Sequence, residues 1–490
     1  MTVLLAACLA PFVVALAALP CRRPRPLRVV VLAGVALELA LIASALSLPC
    51  GRSALGGYLA LDAVGRVLVA LVGGVGALST VDSLLYWADE LRLYGPEAAA
   101  LGRGVPRVRQ YFFWQQAFVG TMLVAAASAN LGVSWVAIEL TTITSAVLVG
   151  FDGGARAMEA AWKYVVLCSV GLALALLPVI VFYALAGGGG LGAVNWTSLQ
   201  AGAAHFPAGP VRLAFLFALV GFGTKAGLAP LHTWLPDAHS EAPAPVSALL
   251  SGVLLATVLC TLVRICGVTA ASLGPAFPFH LLLGAGLLSV AVATPFLLLQ
   301  DDLKRLLAYS SVEQIGLVAI GFGLHTPLAT AAAVLQLIVH GLAKSGLFFT
   351  AGHIWHGTGT KRLSRLRGLG RQAPPLAAAF LFGTFTLAGL PPFGMFLSEL
   401  AILESAFAGH PAAALLLVVL LALVFAGLAF SSGRAVFGTA AGRPHRTPRS
   451  VSLVLAVPAV LSLAVGLWVP GVVWHGVTAG AALLLGGRPL

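Results

Sequence analysis

A chain of 490 residues in which 60% are hydrophobic and 9% charged, with a mean hydropathy of +1.01, cannot fold as a soluble globule and reads as an all-α integral membrane protein. Its net charge of +12 does not point to nucleic acid, because the basic residues sit in short loops between apolar runs and form no patch beside exposed aromatics. The six cysteines, Cys8, Cys21, Cys50, Cys168, Cys260 and Cys266, form no CxxC pair. They are expected to be small packing residues, with no disulfide framework, iron–sulfur cluster or haem motif.

A helical span needs about 20 apolar residues, and on that basis the chain crosses the bilayer about fourteen times. The first seven spans are predicted near 3–20, 28–48, 58–79, 111–128, 131–150, 161–186 and 211–235. The first of these lacks a basic leader and precedes Arg22, Arg23, Arg25 and Arg28, so it reads as a retained span and not a cleaved signal. The remaining spans fall near 245–266, 279–299, 309–324, 328–353, 375–406, 412–437 and 451–470. The tail after Pro470 is short and glycine-rich, at most a poorly formed fifteenth span.

Basic residues give the topology. Loops after odd-numbered spans hold Arg22 to Arg28, then Arg92, Arg103, Arg107 and Arg109, then Arg156 and Lys163, then Lys304 and Arg305, then Lys361 to Arg371, then Arg434 to Arg449. The intervening loops carry only Arg52, Arg212, Arg264 and Arg488. The positive-inside rule therefore predicts a cytoplasmic-membrane protein with both termini outside the cytoplasm, the loop after the seventh span being the exception with no lysine or arginine.

The chain is organised around 221–252, GFGTKAGLAPLHTWLPDAHSEAPAPVSALLSG. An apolar run places Lys225 at bilayer depth, where a charge costs at least about 2.5 kcal/mol and marks an ion path. Pro230 and Pro236 follow and break the helix, and unwound backbone at that depth survives only against protein or water. The five residues Ala226-Gly227-Leu228-Ala229-Pro230 recur as Ala388-Gly389-Leu390-Pro391-Pro392, the sign of an interrupted helix in each of two halves.

Besides Lys225, the ionisable residues within spans are Glu38, Asp62, Arg66, Glu139, His340, Lys344, Glu399 and Glu404. Glu139 is followed by Thr141, Thr142, Thr144 and Ser145, a carboxylate among hydroxyls. It serves either an ion path or a helix–helix hydrogen bond. Lys225 gains most by pairing with such a carboxylate, by roughly 3 kcal/mol at about 6 Å. His340 and Lys344 lie four residues apart on one helix face, a proton relay or a snorkelling lysine beside a satisfied histidine. Glu399 follows the second broken helix, and Glu404 lies nearer an interface. His232, Asp237, His239 and Glu241 cluster at the inner end of the broken seventh span, either a cytoplasmic proton entrance or solvated caps. His353 and His356 have helical ligand spacing but no third ligand, so no metal site is expected.

The stretch KAGLAPLHTWLPDAHSEAPAPVSALLSG, with AWKYVVLCSVGLALAL at 161–176, DDLKRLLAYSSVEQIGLVAIG at 301–321, VHGLAKSGLFFTAGHI at 339–354 and GLPPFGMFLSE at 389–399, resembles the antiporter-like subunits of respiratory complex I, Mrp cation/proton antiporters and membrane-bound hydrogenases. The wording IELTTITSA and the sixth span are most similar to the F-type subunit of hydrogenase-4 and formate hydrogenlyase-like complexes. This resemblance implies a fold of about fourteen helices, with two inverted five-helix repeats and discontinuous seventh and twelfth helices. The implied divisions are 1–110 (three spans and a loop), 111–270 and 271–440 (the two repeats) and 441–490 (a last span and tail). By motif position Glu139 is the fifth-helix glutamate, Lys225 its seventh-helix partner, Lys344 the central lysine and Glu399 the twelfth-helix exit group. His340 then lies on the hydrated axis between them. In the eighth helix, where many relatives carry lysine or histidine, only Ala256 and Thr257 are present. Either Thr257 with water bridges the halves, or conduction between them is weakened.

The expected function is proton translocation along Glu139, Lys225, His340, Lys344 and Glu399 in a subunit with no cofactor of its own, the redox chemistry belonging to peripheral partners. Antiporter-like siblings and lipid are the expected neighbours in the membrane. The alternatives are Mrp-like sodium/proton exchange, ion-coupled inorganic-carbon uptake, or a scaffold whose charges only hold helices together.

Overall fold

The computed structural model describes residues 2–49, 53–92, 103–439 and 447–486; Cys50, Arg52, Arg443, Arg446, Arg488 and their neighbours lie outside the described residues. Helix fills every predicted span: α1 (Thr2–Ala18), α2 (Pro24–Leu46), α3 (Ala63–Tyr86), α4 (Val105–Ala126), α5 (Leu131–Val149) and α6 (Ala155–Leu185). The seventh span is two helices, α7a (Ala208–Ala226) and α7b (Trp234–Glu241). Then come α8 (Ala244–Leu273), α9 (Ala276–Leu299), α10 (Leu303–Gly323) and α11 (Pro327–Thr358). The twelfth is again two, α12a (Pro374–Leu387) and α12b (Gly394–Gly409), followed by α13 (Pro411–Phe437), α14 (Arg449–Leu467) and α15 (Gly471–Leu484). Among the described residues, 11 helices are long and apolar enough to cross a membrane, while α1, the halves of the twelfth span and α15 are shorter.

Side chains start several of these helices. Asp62 accepts from the Gly65 N–H at 2.6 Å, Asn130 from Val133 at 3.1 Å, Asp302 from Arg305 at 2.9 Å and Thr326 from Ala329 at 3.2 Å, each satisfying a donor that the first turn leaves unpaired. Asp62, read as a charge within the third span, lies just before α3, and Arg66 lies in its first turn. Asp62 is the cap of α3 and is held by Arg264 at 2.7 Å, while Arg66 donates to the Leu46 carbonyl at the end of α2 at 2.9 Å.

Both interrupted helices stop in the same way. At the first break Leu228 N–H bonds Gly223 O at 2.9 Å and Gly227 N–H bonds Thr224 O at 3.2 Å; at the second, Leu390 N–H bonds Phe385 O and Gly389 N–H bonds Thr386 O, both at 3.2 Å. These are Schellman pairs, and each needs a left-handed residue. Gly227 (φ +82°) and Gly389 (φ +62°) supply it. The five-residue repeat in the sequence is therefore a repeat in structure.

Packing order repeats as well. In the first half α4 packs on α5, α5 on α6 and α6 on α7a; in the second, α9 packs on α10, α10 on α11 and α11 on both pieces of the twelfth span. The centre is formed by α8, α10 and α11, whose apolar windows are 100%, 100% and 89% buried, against 33% for α2, α6, α13 and α14. The tail helix is better formed than expected: α15 runs for 14 residues, about 21 Å, and packs on α3 and α11.

The basic loops meet on one side. Lys163 and Arg305 both pair with Asp237 at 3.2 Å, Arg107 pairs with Asp152 at 3.3 Å, and Leu303 N–H bonds the Lys361 carbonyl at 2.8 Å. The Asp62–Arg264 pair belongs to the opposite ends of α3 and α8.

Candidate functional site

Lys225 is fully buried in the last turn of α7a. Its Nζ donates to Thr142 Oγ1 at 2.9 Å and to the Tyr164 hydroxyl at 2.5 Å, and it lies 4.5 Å from the centre of the Tyr164 ring. The C-terminal end of a half-helix favours a cation. Tyr164 is in turn bonded to Ser145 at 2.6 Å, and Trp234 of α7b closes the break by donating to Thr224 O at 2.9 Å.

The expected pairing with Glu139 takes a different form. Among the described residues no carboxylate lies within ion-pairing distance of Lys225, whose partners are hydroxyls one turn along α5 and on α6. Glu139 is half-buried, accepts only a long bond from Ser169 at 3.4 Å, and keeps a buried Oε2 with no partner. The fifth-helix acid and the seventh-helix lysine thus flank a stretch of hydroxyls.

The second centre repeats this pattern. Lys344 on α11 is fully buried and donates to the Leu307 carbonyl at 2.7 Å and to Ser310 Oγ at 2.5 Å. One turn earlier His340, also buried, has Nε2 at 3.2 Å from the Ser251 carbonyl and Nδ1 without a partner. A carbonyl only accepts, so Nε2 donates, and when the ring is neutral Nδ1 holds the free lone pair.

Ser251 lies in a π-helical turn, Leu250–Leu254, within α8. Such a turn frees a carbonyl from the helical ladder, and Ser251 Oγ meets Ser311 Oγ at 2.7 Å. Ser251 thus joins α8 to α11 directly, while the Thr257 hydroxyl bonds Val253 of its own helix.

Glu399 on α12b lies in a third polar cluster. Gln314 Nε2 donates to its Oε1 at 3.3 Å, to Glu313 Oε1 at 3.3 Å and to the Leu387 carbonyl at 3.4 Å. Gln336 and Ser398 extend this cluster by short hydrogen bonds, Gln336 donating to Gln314 and Ser398 to Gln336. Glu404 is exposed.

Of the three residues expected at an entrance, Asp237 is clamped by Lys163 and Arg305. His232 is buried with an unpartnered Nδ1, and His239 is fully buried with neither ring nitrogen bonded. Lys304 and Lys361 close the end of α7b by donating to the carbonyls of Ala242 and Ser240, Lys361 at 3.0 Å.

The profile of the transmembrane family described as NADH:quinone oxidoreductase/Mrp antiporter matches residues 128–425. The chain belongs to that family. A relative described as a hydrogenase-4 component F homolog from Methylacidiphilum infernorum is 37% identical over 418 residues, 85% of this chain and 86% of that protein. Among solved structures, a chain of the membrane-bound sulfane sulfur reductase, an archaeal respiratory membrane complex, superposes with a TM-score of 0.85 at 21% identity, covering 99% and 98% of the two chains. A chain of respiratory complex I from Thermus thermophilus gives 0.83 at 22% identity over 99% of each. The antiporter-family fold therefore extends over essentially the whole chain.

Three buried ionisable groups of this antiporter-family chain escape the sequence reading. Glu313 lies in the tenth span but is masked by the basic motif before it; it is fully buried with a free Oε2. Lys304 was counted with the loops and is 1% exposed. Asp82 falls past the predicted end of the third span, which α3 extends to Tyr86, and is fully buried. A longer third span was the only available signal for Asp82.

Proposed function

We propose that this chain moves protons across the cytoplasmic membrane along Glu139, Lys225, His340, Lys344 and Glu399, as an antiporter-like subunit of a complex I-related or hydrogenase-type complex. The observation that carries the reading is the state of the two lysines. Lys225 and Lys344 are fully buried and bonded to hydroxyls and a carbonyl, with no carboxylate among the described residues paired to either. A scaffold would pair such charges, because an unpaired one at the bilayer centre costs about 3 kcal/mol or more. A lysine held only by neutral groups can give up its proton and keep its hydrogen-bonding partners, which is what a relay requires.

Glu139 supplies or accepts the proton on the first side, through Thr142, Tyr164 and water. His340 passes protons between α8 and α11 through its free Nδ1, and Glu399 with Glu313 receives them on the far side. His232, Asp237 and His239 would form an entrance on the basic face. The two matching helix breaks support 111–270 and 271–440 as repeats, flanked by 1–110 and 441–490. The one-sided basic loops support a cytoplasmic location for that face and external termini. Redox energy would come from peripheral partners acting through packed helices, with antiporter-like siblings alongside.

The test is proton uptake by vesicles containing the intact complex, with Lys225→Ala and Glu139→Gln at equal assembly. Loss of pumping with turnover partly retained supports the path; unchanged pumping in both variants refutes it. Because the family description also names Mrp antiporters, sodium/proton exchange is the second reading, and transport that requires sodium would favour it.

A further inference from the structure

Asp82 on α3 and His353 on α11 form a buried pair with no part in the path above. His353 Nε2 lies 2.8 Å from Asp82 Oδ1, with Asp82 at 0% and His353 at 8% exposure. Asp82 Oδ2 is buried and has no partner. The seam around it is polar. Gln115 donates to Ser79 and Ser83 at 3.0 Å each, Ser83 meets the Tyr111 hydroxyl at 2.9 Å, and Ser79 donates to the Pro245 carbonyl at 2.8 Å. Gln115 Oε1 and both amide atoms of Gln116 are also buried without partners. Buried polar atoms are nearly always satisfied, by water where protein does not reach. Orphaned Asp82 Oδ2 and Gln115 Oε1 beside these hydroxyls favour a hydrated passage over a simple structural clamp.

The pair connects in two directions. Toward the basic face, His356 is exposed, its ring 4.2 Å from that of Tyr86, and it lies within electrostatic range of His353, Asp82, Asp89 and Lys304. Inward, Lys304 lies within range of His239, and His239 within range of Lys344 and His340. Among the described residues, the other charged or titratable groups facing this region include Tyr86 and Tyr111, with Asp152, Glu241, Asp302 and Lys361 at the rim. His353 sits nine residues beyond Lys344 on the same helix, about 14 Å along the axis. That is too far for direct transfer, so Lys304, His239 and intervening water would have to carry the proton between them.

We propose that the Asp82–His353 pair is a further proton-loading site, which takes up protons from the basic face at the α3–α11 seam and delivers them through Lys304 and His239 to Lys344. The site lies partly outside the family-matched residues, since Asp82 precedes position 128, and the proposal rests on the proton-translocation reading. A proton reaching His353 is held as imidazolium against the Asp82 carboxylate. It leaves by transfer from nitrogen or oxygen to the next acceptor; only N–H and O–H bonds form and break, and no electron moves.

The test is the initial rate of proton uptake per turnover in vesicles with the intact complex. His353→Gln keeps a donor toward Asp82 but cannot carry a proton; Asp82→Asn removes the acid and Asp82→Glu restores it. At wild-type assembly, His353→Gln and Asp82→Asn should lower uptake at least about fivefold, and Asp82→Glu should recover most of it. Full uptake in His353→Gln overturns the site, and that variant decides alone where Asp82→Asn fails to assemble. Lys225→Ala, measured alongside, separates the two failures. If it abolishes uptake while His353→Gln does not, only this site is lost; if it leaves uptake intact, the underlying path is lost.

Discussion

The two helix breaks share a backbone and differ in charge. At the first, Lys225 immediately precedes the repeated five residues, at the end of α7a. At the second, the matching position is Leu387, whose carbonyl is bonded by Gln314, and the ionisable group is Glu399, in the second turn of α12b. Each charge sits toward the end of the half-helix whose dipole favours it, the cation at a C-terminus and the carboxylate toward an N-terminus. The same backbone device occurs at both breaks, and the charge beside it differs in sign. On the proposed path, transfer would connect a lysine in the first half with a pair of carboxylates in the second.

Breaking either charged centre should have the largest effect. Glu399→Gln in the assembled complex is expected to reduce proton movement per turnover by about tenfold or more, comparable to Lys344→Ala; a twofold change or less would show that the second break carries no proton.

The glycines at the two breaks should then respond differently. Alanine at either adds about 1–2 kcal/mol of left-handed strain. At Gly227 the new methyl meets Leu235 Cδ1 at 2.6 Å, whereas at Gly389 it runs into the Glu399 carboxylate. Gly227→Ala should lower thermal stability and leave pumping per assembled complex near normal, while Gly389→Ala should lower both; equal pumping in the two would contradict the asymmetry.

A smaller effect is expected for Gln314→Leu. It removes the bridge between Glu313 and Glu399 without removing an acid, so a severalfold slowing is predicted, read as uptake rate against turnover.

The smallest prediction concerns the basic face of the first half. Although burial pushes the Glu90 carboxyl up, the Gly104 N–H and Arg103 outweigh it and hold the group below its ordinary value. Its stabilising contribution is therefore present above the unfolded pKa, near 4.5, and is lost as pH falls through the lowered folded value. Glu90→Gln should lower the melting temperature at pH 7 by a few degrees, with the difference shrinking below about pH 4. The second half uses Asp301 and Ser364 for its loop contact and should be unaffected in hydrogen exchange.

Much of this was legible in the chain because a membrane makes hydropathy and charge speak plainly. The span positions, the one-sided basic loops and both breaks follow from apolar runs, arginines and two Gly-Leu-x-Pro stretches. Lys225, Lys344 and His340 stood out because ionisable residues in such runs are rare. What sequence hides is lateral neighbourhood. Nothing near Lys225 in the chain says that Tyr164 and Thr142, and not Glu139, accept its hydrogen bonds. The π turn of α8 that aims Ser251 at His340 has no marker, and Lys304 looks like a loop charge until α7b folds over it. The same holds for Asp82, whose partner is 271 residues away.

The central claim is that Lys225 works by releasing its proton and not by being a fixed charge. The most direct measurement is proton translocation by the intact reconstituted complex carrying Lys225→Arg, compared with wild type and Lys225→Ala at equal assembly. Arginine keeps the positive charge and does not deprotonate in proteins. The account predicts that Lys225→Arg loses pumping as fully as Lys225→Ala. Sustained pumping with arginine in place would show a fixed charge to be sufficient and would contradict it.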